Sequence, residues 1–217
     1  MNILYDHLIS VLIGAAVILI LATTQMRTSQ ASVEQVTSYS AKMKALSFGS
    51  WIEDDVVRLG QNFGRNRYRF EQPVVDARLN TTNFTFFADS IQTSGDSLRL
   101  FTSYRLVPTM TVTRDGQERQ LYRIERFVSQ ARVLGGNVVP GTQTAWRHDG
   151  YSVSTLSFFR VEMLRRDGTT TNSVVETDYL TISFGMVPEW DIRAGYIREL
   201  FWTTTLKIRP FWAPVQV

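Results

Sequence analysis

No cysteine occurs among the 217 residues, which excludes disulfides, thiolate nucleophiles and zinc sites built on thiolates. Histidine is limited to His7 and His148, and lysine to Lys42, Lys44 and Lys207, so arginine carries most of the positive charge. That charge is scattered, and a net +3 spread this way leaves no footprint for nucleic acid, which is not expected as a partner. Proline is missing until Pro73. The chain also lacks a G-x-S-x-G turn, a phosphate-binding glycine loop and D-x-D-x-D spacing. Nothing assembles nucleophile, base and oxyanion donor. A non-enzymatic protein with no catalytic residue, cofactor or metal is therefore expected.

What is present begins with a long apolar run. From Leu8 to Ala22 only Ser10 is polar, and Ile3–Ala22 is about 20 residues, enough to cross a bilayer as a helix. No basic stretch precedes it and "TTQM" after it is a poor cleavage site, so a retained anchor is favoured over a cleaved signal; a buried core helix is the other reading. Asp6 and His7 interrupt the run at its N-terminal edge. A charge at the centre of a membrane helix costs roughly 2.5–3.5 kcal/mol, so Asp6 belongs at the headgroups or has a partner. Arg27, Lys42 and Lys44 follow the anchor, which weakly favours that side in the cytoplasm, although a long domain translocates largely regardless of such charges.

Helical spacing continues beyond the anchor. Val33, Val36, Met43 and Leu46, then Ile52, Val56, Leu59 and Phe63, recur mostly three, four or seven apart, with polar residues between. One long helix is predicted from about Ile3 to Asn62, weakened by Gly49 and stopped by Gly60 or Gly64. After Pro73 the period becomes two. The runs "TNFTFFA", "SLRLFTSYRLV", "RQLYRIERFV", "STLSFFRVEML", "YLTISFGMV" and "YIRELFWTTTLKI" read as strands. Asp115-Gly116, Asp149-Gly150 and Asp167-Gly168 read as hairpin turns, and Gly135-Gly136 and Pro140-Gly141 as a loop. The fold class is α+β, with a long N-terminal helix covering one face of an antiparallel sheet. Its expected parts are an anchor over 1–24, an amphipathic continuation over 25–64 and a β-rich domain over 65–217.

Several residue groups are candidate sites. Glu53, Asp54 and Asp55 point in different directions on a helix, so a solvated face or an interaction with Arg58 is expected rather than cation binding. His148-Asp149 reads as an exposed turn rather than a metal or acid–base pair. Asp89, Asp96, Asp167 and Asp178 lie near turns without ligand spacing. Asn80-Thr81-Thr82 and Asn83-Phe84-Thr85 match the glycosylation pattern. Trp51, Trp146, Trp190, Trp202 and Trp212 read as packing residues rather than a carbohydrate platform, with Trp190 the one least expected to be buried. A membrane-tethered carbohydrate binder would need Trp146 or Trp190 at the surface.

Taken in order, these parts resemble type IV pilin-like proteins, in particular the larger minor pilins and the minor pseudopilins of type II secretion. "SWIEDDVVRLG" is similar to the family's aromatic-apolar-x-x-Asp-apolar-x-x-x-Gly motif through Trp51, Ile52, Asp55, Val56 and Gly60. "FTFFAD", "LSFFRVEMLRRDG" and "FWTTTLKIR" resemble later strand motifs, so the likeness spans nearly the whole chain. The family's basic leader is absent here, as in an already mature chain or one that never was a prepilin. The family carboxylate is a glutamate at the fifth mature position; here it is an aspartate, Asp6, sixth from Met1 and fifth only if numbering begins at Asn2.

The resemblance implies that helices bundle in a filament core and that Asp6 sets register by pairing with a terminal amine. Gly14, Ala15 and Ala16 would permit close helix approach there, against the plainer reading of ordinary membrane-helix composition. Implied partners are other pilin or pseudopilin subunits, and lipid along residues 3–22. The implied location is the bacterial inner membrane, single-pass, with the domain in the periplasm or an extracellular filament. The alternative is a single-pass accessory subunit of a larger membrane complex with a β-rich docking domain.

Overall fold

The structure, a computed structural model, describes residues 2–59, 69–91, 97–114, 117–194 and 198–208. The chain divides into two compact units, Met1–Ser40 and Ala41–Val217. Helix α1 (Asn2–Val57) supplies the described part of the first unit and the opening of the second. Within the first unit it is long and apolar enough to cross a membrane, and its large side chains from Leu8 to Leu21 are exposed. Hydroxyls there turn back on the helix: Ser10, Thr23, Thr24 and Thr28 each donate to a carbonyl three or four residues earlier, at 2.8–2.9 Å. Such bonds hide polar groups that an apolar surrounding would leave unsatisfied.

Helix α1 stops at Val57, short of the expected Asn62. The Arg58 and Leu59 amides bond to the Asp55 and Val56 carbonyls at 3.2 and 3.0 Å, a three-residue tightening that closes the last turn. Gly60 and Phe63 lie outside the described residues.

The second unit is built on one antiparallel sheet. Its strands are β1 (Val74–Val75), β2 (Thr81–Ile91), β3 (Ser97–Arg114), β4 (Gln117–Leu134), β5 (Asn137–Val138), β6 (Arg147–Leu164), β7 (Tyr179–Met186) and β8 (Leu200–Lys207). The spatial order is β1-β2-β3-β4-β6-β7-β8, with β5 beside the end of β4. The six expected strand runs fall on β2, β3, β4, β6, β7 and β8, the last of them only over Leu200–Lys207 among the described residues. The two-residue β1 and β5 and the short helix α2 (Glu189–Ala194) were not foreseen, because so few residues cannot display a period. The core side of the sheet carries Phe84, Phe86, Tyr104, Ile124, Leu156, Phe159, Leu180, Ile182 and Phe184.

The helical face that meets this core is Ala41, Ala45, Phe48, Ile52 and Val56. Met43 and Leu46, expected on that face, are exposed, as are Val33 and Val36 in the first unit. The small residues decide the phase. A Cβ at Gly49 would lie 2.3 Å from Cε2 of Trp202, so the backbone of α1 rests directly on the indole of β8.

Asp149-Gly150 is not a hairpin turn but lies inside β6. Glu125 pairs with Ser152 and Phe127 with His148, so Asp149, Gly150 and Tyr151 stand opposite Arg126 alone. Gly150 has φ +87°, and this bulge turns Asp149 toward Arg126. Asp167-Gly168 does form a turn, with Gly168 at φ +84° and Asp167 accepting from the Thr169 amide at 2.9 Å. Asp115-Gly116 lies outside the described residues.

Candidate functional site

The residues around Asp6 and those of the "SWIEDDVVRLG" stretch each fall within one unit. In the first unit Asp6 is exposed on α1, and its carbonyl accepts the Ser10 hydroxyl at 2.8 Å. Asp6, Ser10 and Gly14 are four apart and share one helix face. A Cβ at Gly14 would have nothing within 4 Å, so that face is open. Ala15 and Ala16 step away from Gly14 by about 100° each, so the three small residues do not form one stripe.

In the second unit the structure joins Trp51, Ile52, Asp55 and Val56 to the sheet. Ile52 and Val56 enter the core, while Asp55, only 7% exposed, faces β3 and β4. The expectation of a solvated Asp55 or an Asp55–Arg58 pair is corrected here. Asp55 Oδ2 accepts from the Tyr104 hydroxyl at 2.6 Å and from Arg126 Nε at 2.7 Å, and Oδ1 accepts from Arg126 Nη2 at 3.1 Å. Arg126 also donates from Nη1 to Asp149 and lies 4.9 Å over the Trp51 ring. A carboxylate so buried needs a fork-shaped cation and a neutral donor, and the motif aspartate finds both on the sheet. Gly60, the last motif position, lies outside the described residues.

The electrostatics follow this geometry. Burial, then the charge and hydrogen bond of Asp55, push the Tyr104 hydroxyl well above its ordinary range. Tyr104 therefore serves as a neutral donor. Burial works to lower Arg126, but the Asp55 charge and hydrogen bond, with Asp149, raise it overall. The cation thus stays fully protonated between its two carboxylates.

A second buried pair was not foreseen. Asp89, at the end of the "FTFFAD" stretch, receives Arg99 Nε at 2.8 Å and Nη2 at 3.0 Å, and Arg99 also reaches the Gly136 carbonyl. The only signal in the sequence was an aspartate beside an apolar strand, which by itself reads as a turn. The described tryptophan side chains are engaged in packing. Trp202 stacks on Phe184 at 5.0 Å, and Trp146 lies edge-on to Phe101 with Arg105 over its ring. The side chain of Trp190 and all of Trp212 lie outside the described residues. His148 is exposed, its Nδ1 accepting the Gly150 amide at 3.0 Å, within a strand rather than a turn. Asn80 of the first glycosylation pattern is buried, with its amide on Asp76 and Tyr122. Among the described residues no three His, Asp or Glu side chains converge as metal ligands.

These features describe an α+β protein with one candidate membrane span and a sheet domain locked to a helix by buried ion pairing. No family model, no curated protein and no solved structure matches the chain.

Proposed function

We propose that the chain is a non-enzymatic structural subunit, of the minor class, of a type IV pilus-like filament or a type II secretion pseudopilus. One observation carries the reading. A single helix has two kinds of surface: apolar on nearly all sides from Leu8 to Leu21, then one-faced and buried on a sheet through the Trp51–Asp55 motif. The first part suits lipid before assembly and neighbouring helices afterwards, since packing of like-shaped helices replaces lipid at little cost. The second part holds the sheet domain on the helix for contact with other pilin or pseudopilin subunits. The subunit would lie in the bacterial inner membrane with its domain in the periplasm, and then pass into the filament.

Asp6 has a defined task in this reading. Its carboxylate meets a terminal ammonium inside the helix bundle, and a one-residue slip would leave both charges unpaired. Asp6→Ala is expected to leave membrane insertion intact and to abolish incorporation into filaments, with Asp6→Glu restoring it. Sheared filaments and membrane fractions, each probed for the protein, give the readout. Normal filament content from Asp6→Ala would defeat the register role. A defined heteromeric complex of fixed mass in detergent would instead favour a single-pass accessory subunit.

A further inference from the structure

Away from the helix lock, β4 and β6 separate. Their pairing spans Tyr122–Val128 and Arg147–Leu156; beyond Leu156 strand β6 pairs with β7 along its opposite edge, and the Val161 amide donates to the Thr81 hydroxyl instead of to β4. A cleft of about 500 Å³ opens at this fork. Three guanidinium side chains line it, those of Arg78, Arg119 and Arg160, with Ser157 and Phe158 at its floor and Glu118 and Glu199 also on its wall.

The backbone at the fork is shaped for this floor. Thr155, a β-branched residue, holds φ +65°, a strained conformation, and the register shifts again between Leu156 and Phe158. The shift sets Ser157 over Gly185, where a Cβ would come within 2.3 Å of the Ser157 hydroxyl. Phe158 in turn lies under the Arg160 guanidinium at 5.3 Å.

Charge selects the occupant. Arg119 is neutralised by Glu199 at 2.7 Å. Arg160 forms no ion pair among the described residues, and both its Nε and the Ser157 hydroxyl are sealed from solvent without an acceptor. Arg160 itself lines the cleft. The residues lining the cleft carry three arginines against two glutamates, a surplus of one positive charge, with Asp76 beside Arg78 just outside the lining. A planar singly charged acceptor also matches the guanidinium fork.

We infer that the fork between β4 and β6 is a carboxylate-binding site centred on Arg160, able to take a small free carboxylate or the carboxylate of a partner polypeptide. It stands independently of the filament reading. The test uses the full chain in detergent micelles, titrated by calorimetry and by ¹⁵N-arginine spectra. The probes are acetate, a pentapeptide with a free C-terminus, the same peptide amidated, and inorganic phosphate.

Acetate or the free-acid peptide should bind saturably and shift the Arg160 signal, and the amidated peptide should not. A peptide tighter than acetate identifies a polypeptide source, and equal affinity a small carboxylate. Arg160→Gln should weaken binding about tenfold, the scale of one charge-assisted hydrogen bond. Arg165→Gln, at an exposed pair with Glu176, should leave it unchanged. Should Arg160→Gln fail to fold, Arg160→Lys, which keeps the charge but not the fork, should still bind several-fold more weakly. Absence of saturable carboxylate binding, unaltered affinity in the variant that folds, or tighter binding of phosphate than of either carboxylate would overturn the site.

Discussion

At the residue scale, the most consequential contact is the one Asp55 makes across the chain to Arg126. A buried ion pair contributes little net stability when compared with an apolar pair, yet breaking it from one side is costly. Removing Arg126 leaves the buried Asp55 and the half-buried Asp149 without their shared cation. Arg126→Ala is therefore expected to lower unfolding free energy by roughly 3–5 kcal/mol. Asp55→Asn keeps an acceptor for the Tyr104 hydroxyl and leaves Arg126 paired with Asp149, so a smaller loss of about 1–3 kcal/mol is expected. Denaturant midpoints of the two variants in the same micelles check the order, and Asp55→Asn as the more damaging change would contradict it. In "WIEDD" only the family-like spacing from Trp51 sets Asp55 apart from Glu53 and Asp54; its burial against a cation comes from the helix phase, which the sheet sets.

At the scale of elements, the two described glycines of α1 behave oppositely. Gly49 is where backbone meets the Trp202 indole, and a methyl group there would overlap three of its ring atoms within 2.7 Å. The overlap falls on a ring fixed by stacking on Phe184, so relief requires the helix to shift. Gly49→Ala is expected to destabilise the domain by about 1–3 kcal/mol. Gly14→Ala meets nothing within 4 Å, and a methyl there gains up to about 1 kcal/mol of helix preference. Thermal scans followed by near-ultraviolet circular dichroism should show a lower midpoint for the Gly49 variant alone. Equal behaviour of the two variants would mean that the helix–sheet contact is looser than its geometry indicates.

At the scale of the whole molecule, stability against pH should be limited from both ends by named groups. Tyr104 is raised well above its ordinary value by burial and then by Asp55. The folded state thus keeps a proton that the unfolded chain loses near pH ~10, and stability present below that value falls as pH rises further. Asp76 is shifted the other way: burial alone would raise it, but the Asn80 amides and the Arg78 amide hold it below its ordinary value. Its contribution is present above the unfolded value of ~3.9 and is lost as pH falls through the folded one. Thermal midpoints across pH should therefore decline at both extremes. Tyr104→Phe should flatten only the alkaline decline, and Asp76→Asn only the acid one. An unchanged alkaline slope in Tyr104→Phe would show that another group governs that limb.

The sequence by itself determined the apolar span, the helix that continues it and the six strand runs, several of which alternate in period two. These are local properties, in which a side chain's neighbours along the chain dictate which face it takes. Only the tertiary structure decided which helix face is buried, because the fit of Ala41, Ala45 and Gly49 against the sheet outweighs the larger apolar surface of Met43 and Leu46. It also decided that Asp149-Gly150 bulges instead of turning, and that Asp55 has a cation 71 residues away. Such pairings depend on which strands become neighbours, a choice made by burial of the whole core that no local spacing encodes.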